Sequence, residues 1–374
     1  MMKQKTYYYE VSGTHKEIGK QLAKIVDVQK MVMPLPPFIT KKDIEEAIKL
    51  YEKYCPGLME ELTGFAEEGK VQVKDLAYFW MTYLVPRCSG MAILGSKMID
   101  GHTKLVRNYE FGLEEEDLAV CQIHVEGKYK HIGGTSVVFG RTEGINECGL
   151  AVAMSSCGIP VSNIEGMRPS QIKGLQFWAV IRSLLDHCKD VEEALEMAQE
   201  MPIAFNLNLY LADAKGNVGL LETINGHKAY KKISEATLEK YVYGTNHIVL
   251  PELQVYEPVG MRNSIVRYEK MTEFLESHDQ LSETQVKEFL LQKYPEGPTC
   301  YYYSSWFGTI KSVVMDPIEK RFSICWLGHK ENGWEDYVVG QPMESMEKEK
   351  LVTFENATPD LFEMIPIPTK DREK

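Results

Sequence analysis

The chain has 374 residues, of which 44% are hydrophobic and 26% are charged, a composition that excludes disordered, collagen-like and coiled-coil chains. Its length suggests about two domains of roughly 150 residues each, although one large domain is also allowed. The 54 acidic residues outnumber the 42 basic ones, for a net charge of −12, so we expect no nucleic-acid partner, since such binders carry basic patches.

The chain also lacks the signals of export and membrane insertion. No apolar run approaches the ~20 residues of a membrane helix, so no membrane span is expected. The first residues lack the apolar stretch of a secretory signal. The 8 cysteines are spread singly along the chain, without a C-x-x-C pair. We therefore expect a cytoplasmic protein with reduced thiols.

The first 87 residues are predicted to be mostly helical. Apolar residues recur every three or four positions over residues 44–55, after a possible cap at Thr40 and before Pro56, which is typical of a helix. Two further helices are predicted over residues 58–69 and 76–84.

After Pro86 the pattern changes to short strands that come in hairpins and helices that come in pairs. This alternation favours a layered α+β arrangement over βαβ winding. The polar tail from Met343 is expected to be a loose segment. Strands are predicted over residues 91–94, 104–111, 119–125, 136–139, 150–154, 207–212, 218–222, 240–244, 308–315 and 321–327, and helices over 171–188, 191–201, 264–276 and 283–293.

The sequence does not support a phosphate-binding loop or a metal site. The segment from Gly13 to Gly19 imitates a phosphate-binding loop, but five residues separate its glycines and Gln21 stands where Ser or Thr would hold magnesium. It is therefore expected to be a turn leading into a helix. The 9 histidines are scattered, so no metal site and no cofactor are predicted.

One cysteine, Cys88, lies in a position that suggests a catalytic thiol. Cys88 stands where the helical segment gives way to the first strand, and Arg107 and Glu110 follow the turn at Asp100-Gly101. Pairing through that turn brings all three to one end of a sheet. A cationic neighbour lowers the pKa of a thiol, and the thiolate is the nucleophile. The residues alone leave two interpretations open, a Cys–Arg–carboxylate site or a core cysteine beside an ion pair.

Further elements add a resemblance that extends from about Gly13 to Leu327. The elements are the segment 13–19, Cys88-Ser89, Arg107-Asn108-Tyr109-Glu110, the segment 144–150, Thr245-Asn246-His247, a helix with Ser264 and Arg267, and the hairpin segment 312–317. In this order, these elements resemble the acyl-coenzyme A:6-aminopenicillanate acyltransferase family (peptidase family C45), which is related to choloylglycine hydrolases among the N-terminal-nucleophile (Ntn) hydrolases.

The resemblance implies a fold and a division of the chain. The fold is a four-layer αββα sandwich of antiparallel sheets, in the α+β class, with an N-terminal helical region. Self-cleavage between Arg87 and Cys88 would make residues 1–87 a separate chain and leave residues 88–374 as the catalytic region.

The resemblance also implies catalytic roles. Cys88 becomes the N-terminal nucleophile, and its free amine serves as the general base. Arg107 and Glu110 stand beside it. Glu110 occupies a position where the family more often has Asp, whose side chain is one methylene shorter. Asn246 supplies the oxyanion hole.

Three more residues are implied in substrate binding. Ser155 and Ser156 lie in the stretch that corresponds to an Asn in choloylglycine hydrolases, so this contact would come from a hydroxyl. An Arg on a later helix corresponds to Arg267, with Arg262 as the competing candidate.

The implied activity is hydrolysis or acyl transfer on a small N-acyl amide, with neither metal nor organic cofactor. The resemblance also admits a coenzyme A thioester as a co-substrate and a homo-oligomeric assembly. Two alternatives remain. One is a choloylglycine-hydrolase-like or ceramidase-like amidase acting on bile-salt or lipid amides. The other is an uncleaved, inactive binding homologue, suggested by Arg87, a bulky cation where the penicillin acyltransferase prototype has Gly.

Overall fold

The computed structural model describes residues 2–33, 40–76, 87–159 and 171–368. The predicted helix over 76–84 therefore lies almost entirely outside the described residues. Among the described residues, no helix is both long and apolar enough to cross a bilayer. The helices are α1 (His15–Ile25), α2 (Lys41–Tyr54), α3 (Leu58–Gly69), α4 (Phe177–His187), α5 (Val191–Glu200), α6 (Pro251–Gln254), α7 (Arg262–Glu276) and α8 (Glu283–Leu290).

The strands of the described residues form two large sheets and one small pair. In chain order they are β1 (Met2–Gly13), β2 (Arg87–Ile93), β3 (Lys104–Phe111), β4 (Ala119–Val125), β5 (His131–Ser136), β6 (Gly140–Asn146), β7 (Ala151–Ser156), β8 (Leu207–Ala212), β9 (Asn217–Ile224), β10 (His227–Ser234), β11 (Tyr241–Gly244), β12 (Val259–Met261), β13 (Tyr301–Tyr302), β14 (Phe307–Asp316), β15 (Arg321–Trp326), β16 (Glu335–Val338), β17 (Met346–Val352) and β18 (Met364–Pro366).

The first sheet has nine strands in the order β10-β9-β8-β7-β6-β5-β4-β1-β17, and the second has seven, in the order β11-β2-β3-β14-β15-β16 with β13 beside β14. Strands β12 and β18 form the separate pair. Every pairing within the two sheets is antiparallel except that of β1 with β4. Hairpins thus dominate, as their turn signals predicted.

The two sheets pack face to face between two layers of helices. A Cβ on Gly90 of the second sheet would lie 2.6 Å from the Tyr210 ring of the first, so only a glycine permits this approach of the sheets. On the outer side of the second sheet, Val106 packs in one buried cluster with Met271 of α7 and Phe289 of α8.

Helices α4 and α5 cover the outer side of the first sheet, where a Cβ on Gly144 of β6 would meet the Leu185 side chain. The predicted αββα sandwich of the α+β class is therefore confirmed. Burial of each large apolar side chain between these layers contributes about 1.5–3 kcal/mol to folding.

The N-terminal and C-terminal predictions need correction. Residues of α1, α2 and α3 are helical as expected, but Met2–Gly13 is strand β1, which runs parallel to β4 and antiparallel to β17. The tail from Met343 is likewise not loose, because Met346–Val352 pairs with β1 along its length. Aromatic residues of high strand propensity, such as buried Tyr8 and Tyr9, explain the strand.

A second correction concerns the predicted strand over 136–139. Val137 and Val138 have φ of 51° and 63°, a left-handed conformation that β-branched residues rarely adopt. They form the turn between β5 and β6, and the Asp117 carboxylate accepts a hydrogen bond of 2.8 Å from the Val138 N–H. This distant carboxylate stabilises a turn that the local sequence does not encode.

The segment from Gly13 to Gly19 serves helix packing. Strand β1 precedes it, and Thr14 and Glu17 then form a capping box that begins α1, so it leads into a helix as expected. A Cβ on Gly19 would lie 1.9 Å from the Glu61 carbonyl oxygen of α3, and one on Gly64 would lie 2.1 Å from the Lys16 carbonyl oxygen. The two helices therefore cross at backbone contact distance.

Gly19→Ala is expected to lower the free energy of unfolding by about 3 kcal/mol, because the clash with backbone outweighs the gain in helix propensity. Urea unfolding measures the change. Lys24→Ala, at an exposed position of the same helix, is the control and should change stability by less than about 0.5 kcal/mol. Equal effects of the two substitutions would contradict the close crossing.

Candidate active site

Strands β2 and β3 place the thiol and its cation side by side. They pair antiparallel with Cys88 opposite Tyr109 and Gly90 opposite Arg107. Side chains of opposed residues share a face, so the Cys88 and Arg107 side chains both point between the sheets. Arg107 Nη2 donates a hydrogen bond of 2.8 Å to Cys88 Sγ. The predicted proximity of Arg107 to the sulfur is therefore found in the geometry.

Glu110 occupies the opposite face of the same strand, because it lies three positions after Arg107 and strand side chains alternate between faces. It lies opposite Arg87 in the β2–β3 register, next to the bond predicted to be cleaved. Its Oε1 accepts a hydrogen bond of 3.1 Å from Thr309 Oγ1, and its Oε2 is 3.6 Å from Arg267 Nη1. The carboxylate thus faces the helix α7 side rather than the thiol side.

The electrostatics of the intact chain keep Cys88 a thiol. Complete burial raises the pKa of Cys88 to about 11, and the Arg107 charge and hydrogen bond only partly oppose this. The negative charge of Glu110 raises the same pKa further. The expectation of a lowered thiol pKa is therefore wrong for the uncleaved chain, in which desolvation outweighs the cation.

Arg267 joins the site and Arg262 does not. Arg267, fully buried on α7, donates from Nη1 to the Cys88 carbonyl at 3.2 Å and from Nη2 to Asn246 Oδ1 at 2.5 Å. Arg262 begins the same helix and instead pairs with Glu363 near the surface. Arg267 thus lies beside Cys88, whereas Arg262 lies away from it.

Asn246 reaches the site through Arg267. It follows β11, and its backbone N–H donates to Ser264 Oγ at 2.8 Å. Its Nδ2 donates to the Ser156 carbonyl at 2.8 Å, with Ser156 Oγ at 3.3 Å. Because Arg267 donates to Oδ1, the amide nitrogen must face Ser156.

The two serines of β7 divide between two tasks. Ser156 contacts Asn246, as described above. Ser155 instead donates to the Thr245 carbonyl at 2.6 Å and lies 2.9 Å from the Tyr210 hydroxyl. Ser155 therefore supports the turn before Asn246.

Arg87 lies in an aromatic environment. Its guanidinium carbon is 5.8 Å from the Phe307 ring centroid and 5.7 Å from that of Phe362, and it contacts the Met261 sulfur. Burial and the nearby Arg267 charge lower the pKa of Arg87 to about 10. The residue before Cys88 is thus held by packing on the helix α7 side.

Two charged residues that no sequence pattern predicted, Glu143 and Lys311, also lie at the site. Glu143 of β6 lies in the first sheet, and its Oε2 is 2.6 Å from Arg107 Nη1. Lys311 of β14 places Nζ 3.3 Å from Glu143 Oε1. No local motif marks either residue, because they meet the site only when the two sheets pack.

One group of side chains has ligand atoms suited to a cation. Asp100, His102 and Asp316 bring such atoms within 4.8 Å of one another. However, Lys104 already lies 2.8 Å from Asp100 and 2.5 Å from Asp316. The Lys104 ammonium thus already supplies the positive charge that a metal ion would bring to these two carboxylates.

Comparison with known proteins assigns the family. The profile of the acyl-coenzyme A:6-aminopenicillanic acid acyltransferase family matches residues 98–331, which is more than half of the chain. The chain belongs to this acyltransferase family. The match starts beyond Cys88 and is thus shorter at its N-terminal end than the resemblance seen in the sequence. No curated protein matches the chain.

Solved structures of Ntn hydrolases resemble this acyltransferase-family chain at low identity. A variant of conjugated bile acid hydrolase from Clostridium perfringens is 11% identical, with 72% of this chain and 100% of that chain covered and a TM-score of 0.49. Penicillin V acylase from Agrobacterium tumefaciens is 18% identical, with 66% and 76% covered and a TM-score of 0.38. Such distant likenesses do not bear on the activity.

The family match covers Arg107, Glu110, Glu143, Asn246 and Arg267, but the family assignment fixes no role for them. In this acyltransferase-family chain they surround one cysteine, with a cation on the thiol side and a carboxyl next to the preceding peptide bond. Such an arrangement can orient a sulfur nucleophile and stabilise charge on a carbonyl oxygen.

The pH dependence of stability is expected to report on Glu110. Burial raises the pKa of Glu110 to about 7 in the folded chain, from an ordinary value of 4.5. Its contribution to stability is therefore complete below about pH 4.5 and is lost as the pH rises through 7. Between pH 5 and pH 8, the free energy of unfolding of Glu110→Gln should therefore rise by about 1–3 kcal/mol relative to that of the wild type.

Urea unfolding of both proteins at the two pH values measures this difference. Other buried carboxyls, such as Glu116, titrate equally in both proteins, so their contributions cancel. A difference that stays constant with pH would contradict the raised pKa of Glu110.

Proposed function

We propose that Cys88 is the nucleophile of a cysteine Ntn hydrolase or acyltransferase that cleaves, or transfers, the acyl group of a small N-acyl amide. The hydrogen bond of 2.8 Å from Arg107 Nη2 to Cys88 Sγ carries this proposal. It singles out one of eight cysteines in a chain whose family consists of acyltransferases.

Processing at the Arg87–Cys88 bond would create the active residue. Cys88 Sγ attacks the Arg87 carbonyl carbon, the bond from that carbon to the Cys88 nitrogen breaks as the thiol proton passes to that nitrogen, and a thioester forms. Water then opens the thioester, leaving a carboxylate on Arg87 and a free amine and thiol on Cys88. Residues 1–87 and 88–374 become two chains. Glu110 and Arg267 lie at this bond, where they can hold the peptide.

Turnover would use the new amine as the general base. An α-amine has a pKa near 7.7–8.0, so about a fifth or less is neutral at pH 7, enough to accept the thiol proton. The sulfur attacks the substrate amide carbonyl, and the amine returns the proton to the leaving nitrogen. The acyl-thioester on Cys88 then passes its acyl group to water or to another amine.

Asn246, Ser156 and Arg267 would complete the substrate site. The Asn246 Nδ2 carries two hydrogens, and one of them is committed to the Ser156 carbonyl at 2.8 Å. The second, on the side of Ser156 Oγ at 3.3 Å, is the candidate oxyanion donor. Arg267 holds the amide in this orientation through its Oδ1.

The thiol chemistry of Cys88 also bears on the cellular compartment and on the acyl donor. None of the eight cysteines forms a disulfide, which suits a reducing cytoplasm. A coenzyme A thioester would serve as acyl donor to Cys88, since a thioester delivers the same acyl-enzyme as an amide. Neither a metal nor an organic cofactor takes part in the proposed steps.

Self-cleavage is expected to be visible by intact mass. The wild type should yield two fragments that meet at Arg87 and Cys88, whereas Cys88→Ala should remain one chain of 42.7 kDa, because it lacks the attacking sulfur. Cys300→Ala, a substitution of another buried cysteine, is the control and should still be cleaved.

An intact wild type that is nevertheless an active amidase would contradict the amine as base. An intact and inactive wild type would instead support the binding homologue. If cleavage and amidase activity are both found, a panel of bile-salt, lipid and other N-acyl amides separates the substrate classes.

Asn246→Ala is expected to lower kcat by about 10²–10³ with little change in KM, because an oxyanion donor acts mainly in the transition state. Asn263→Ala is the matched control, since Asn263 also accepts from Arg267, at 3.1 Å, yet donates nothing in the proposed oxyanion hole. It should lose less than about tenfold in kcat.

Steady-state kinetics and melting temperature on the same samples decide the role of Asn246. A lower melting temperature with kcat intact in Asn246→Ala would assign the residue to the turn rather than to catalysis.

A further inference from the structure

We propose that Glu143 is a positioning residue for the nucleophile, one that fixes the Arg107 guanidinium so that Nη2 stays on Cys88 Sγ. This inference rests on the proposed function of Cys88 and adds to it a residue from the facing sheet. Glu143 touches neither the sulfur nor the scissile bond, so it acts through Arg107.

The guanidinium of Arg107 is divided between two groups of partners. Its Nη1 donates to Glu143 Oε2 at 2.6 Å and to the Thr142 carbonyl oxygen. Its Nη2 donates to Cys88 Sγ at 2.8 Å, with Met154 Sδ at 3.4 Å. Because the guanidinium is planar and rigid, holding Nη1 on β6 determines where Nη2 points.

Glu143 bridges two buried cations. Glu143 and Arg107 are completely buried, and Lys311 is 1% exposed. Lys311 Nζ is 3.3 Å from Glu143 Oε1 and donates to Thr142 Oγ1 at 2.8 Å. A Cβ on Gly134 would lie 2.3 Å from both Glu143 Oε1 and Lys311 Nζ. The β5 backbone thus leaves just enough space for this ion pair.

The direct field of Glu143 does not account for the state of the thiol. Burial, Arg107 and Glu110 have the largest effects on the pKa of Cys88. The Tyr109 ring lies beside both cations, with its centroid 4.5 Å from the Arg107 guanidinium carbon and 4.8 Å from Lys311 Nζ. Its hydroxyl donates to Glu116, and the Glu116 and Asp117 carboxyls both interact with the Lys311 charge.

Removing Glu143 should therefore leave the Thr142 carbonyl as the remaining β6 acceptor of Nη1, so that the guanidinium can turn away from Cys88 along the Tyr109 ring. The sulfur would lose a charge-assisted hydrogen bond, and a smaller fraction of Cys88 would be thiolate at a given pH. The neutral, nearly isosteric variant is Glu143→Gln. Glu143→Asp keeps the charge but is one methylene too short for the contact of 2.6 Å.

The experiment is iodoacetamide labelling of the purified protein over a range of pH, compared between variants that intact mass shows to be in the same processing state and read for each cysteine by peptide mass spectrometry. Cys300 is the internal reference, because it is equally buried and burial raises its pKa as well. Labelling of Cys300 reports loosening of the fold, since Arg107 does not contact it. Arg107→Met provides the effect expected for complete loss of the cation.

We expect Glu143→Gln to slow Cys88 labelling about three- to tenfold below the thiol pKa while Cys300 labelling stays constant. One pKa unit changes the thiolate fraction tenfold, and the greater nucleophilicity of a more basic thiolate offsets part of this. Glu143→Asp should show a smaller decrease in the same direction, and it decides the matter if Glu143→Gln does not fold.

A charge-matched double variant, Glu143→Gln with Lys311→Met, separates position from net charge. It should label Cys88 as slowly as Glu143→Gln does. Wild-type labelling in the double variant would overturn the proposal, as would unchanged Cys88 labelling in both single variants or faster labelling of Cys88 and Cys300 together.

Failure of this inference is distinguishable from failure of the proposed function. If wild type hydrolyses no amide, the labelling contrast still reads the position of Arg107. If wild type is an active amidase and labelling is unaffected by Glu143→Gln, only the role of Glu143 is wrong.

Discussion

The contact between Arg107 and Cys88 depends on charge being buried in the space between two sheets. A guanidinium in that apolar layer is tolerable only with a compensating carboxylate close by. Glu143 supplies it from the opposite sheet, so the geometry at the sulfur depends on how the sheets pack. The glycines at the interface, such as Gly90, allow that approach, and the helices outside cover the remaining faces.

Local information was enough to place Arg107. The Asp100-Gly101 signal marked the connection between β2 and β3, and that connection determines which residues face each other. The same period of two also determines that Glu110 lies on the other face, since an odd spacing separates it from Arg107. The spacing of Arg107 and Glu110 therefore already indicated that the two side chains lie on opposite faces of β3, although both were predicted to stand beside Cys88.

What the sequence could not supply lies across the interface or depends on burial. Glu143 and Lys311 come from strands distant in sequence, and their meeting depends on packing rather than on any spacing. The direction of the Cys88 pKa shift depends on how completely the thiol is desolvated, which a neighbouring cation does not reveal. The turn at Val137 and Val138 likewise depends on Asp117, whose position only tertiary structure defines.

Strand β1 gives the proposed cleavage an unusual outcome. Backbone hydrogen bonds hold it between β4 and β17, and both neighbours belong to the segment after Cys88. Opening the Arg87–Cys88 bond would therefore alter connectivity while releasing nothing. The N-terminal fragment would remain bound through β1 as a central strand of the sheet, and dilution or dialysis would not remove it. Only denaturation would separate the two chains. Maturation would then be silent to size-exclusion chromatography.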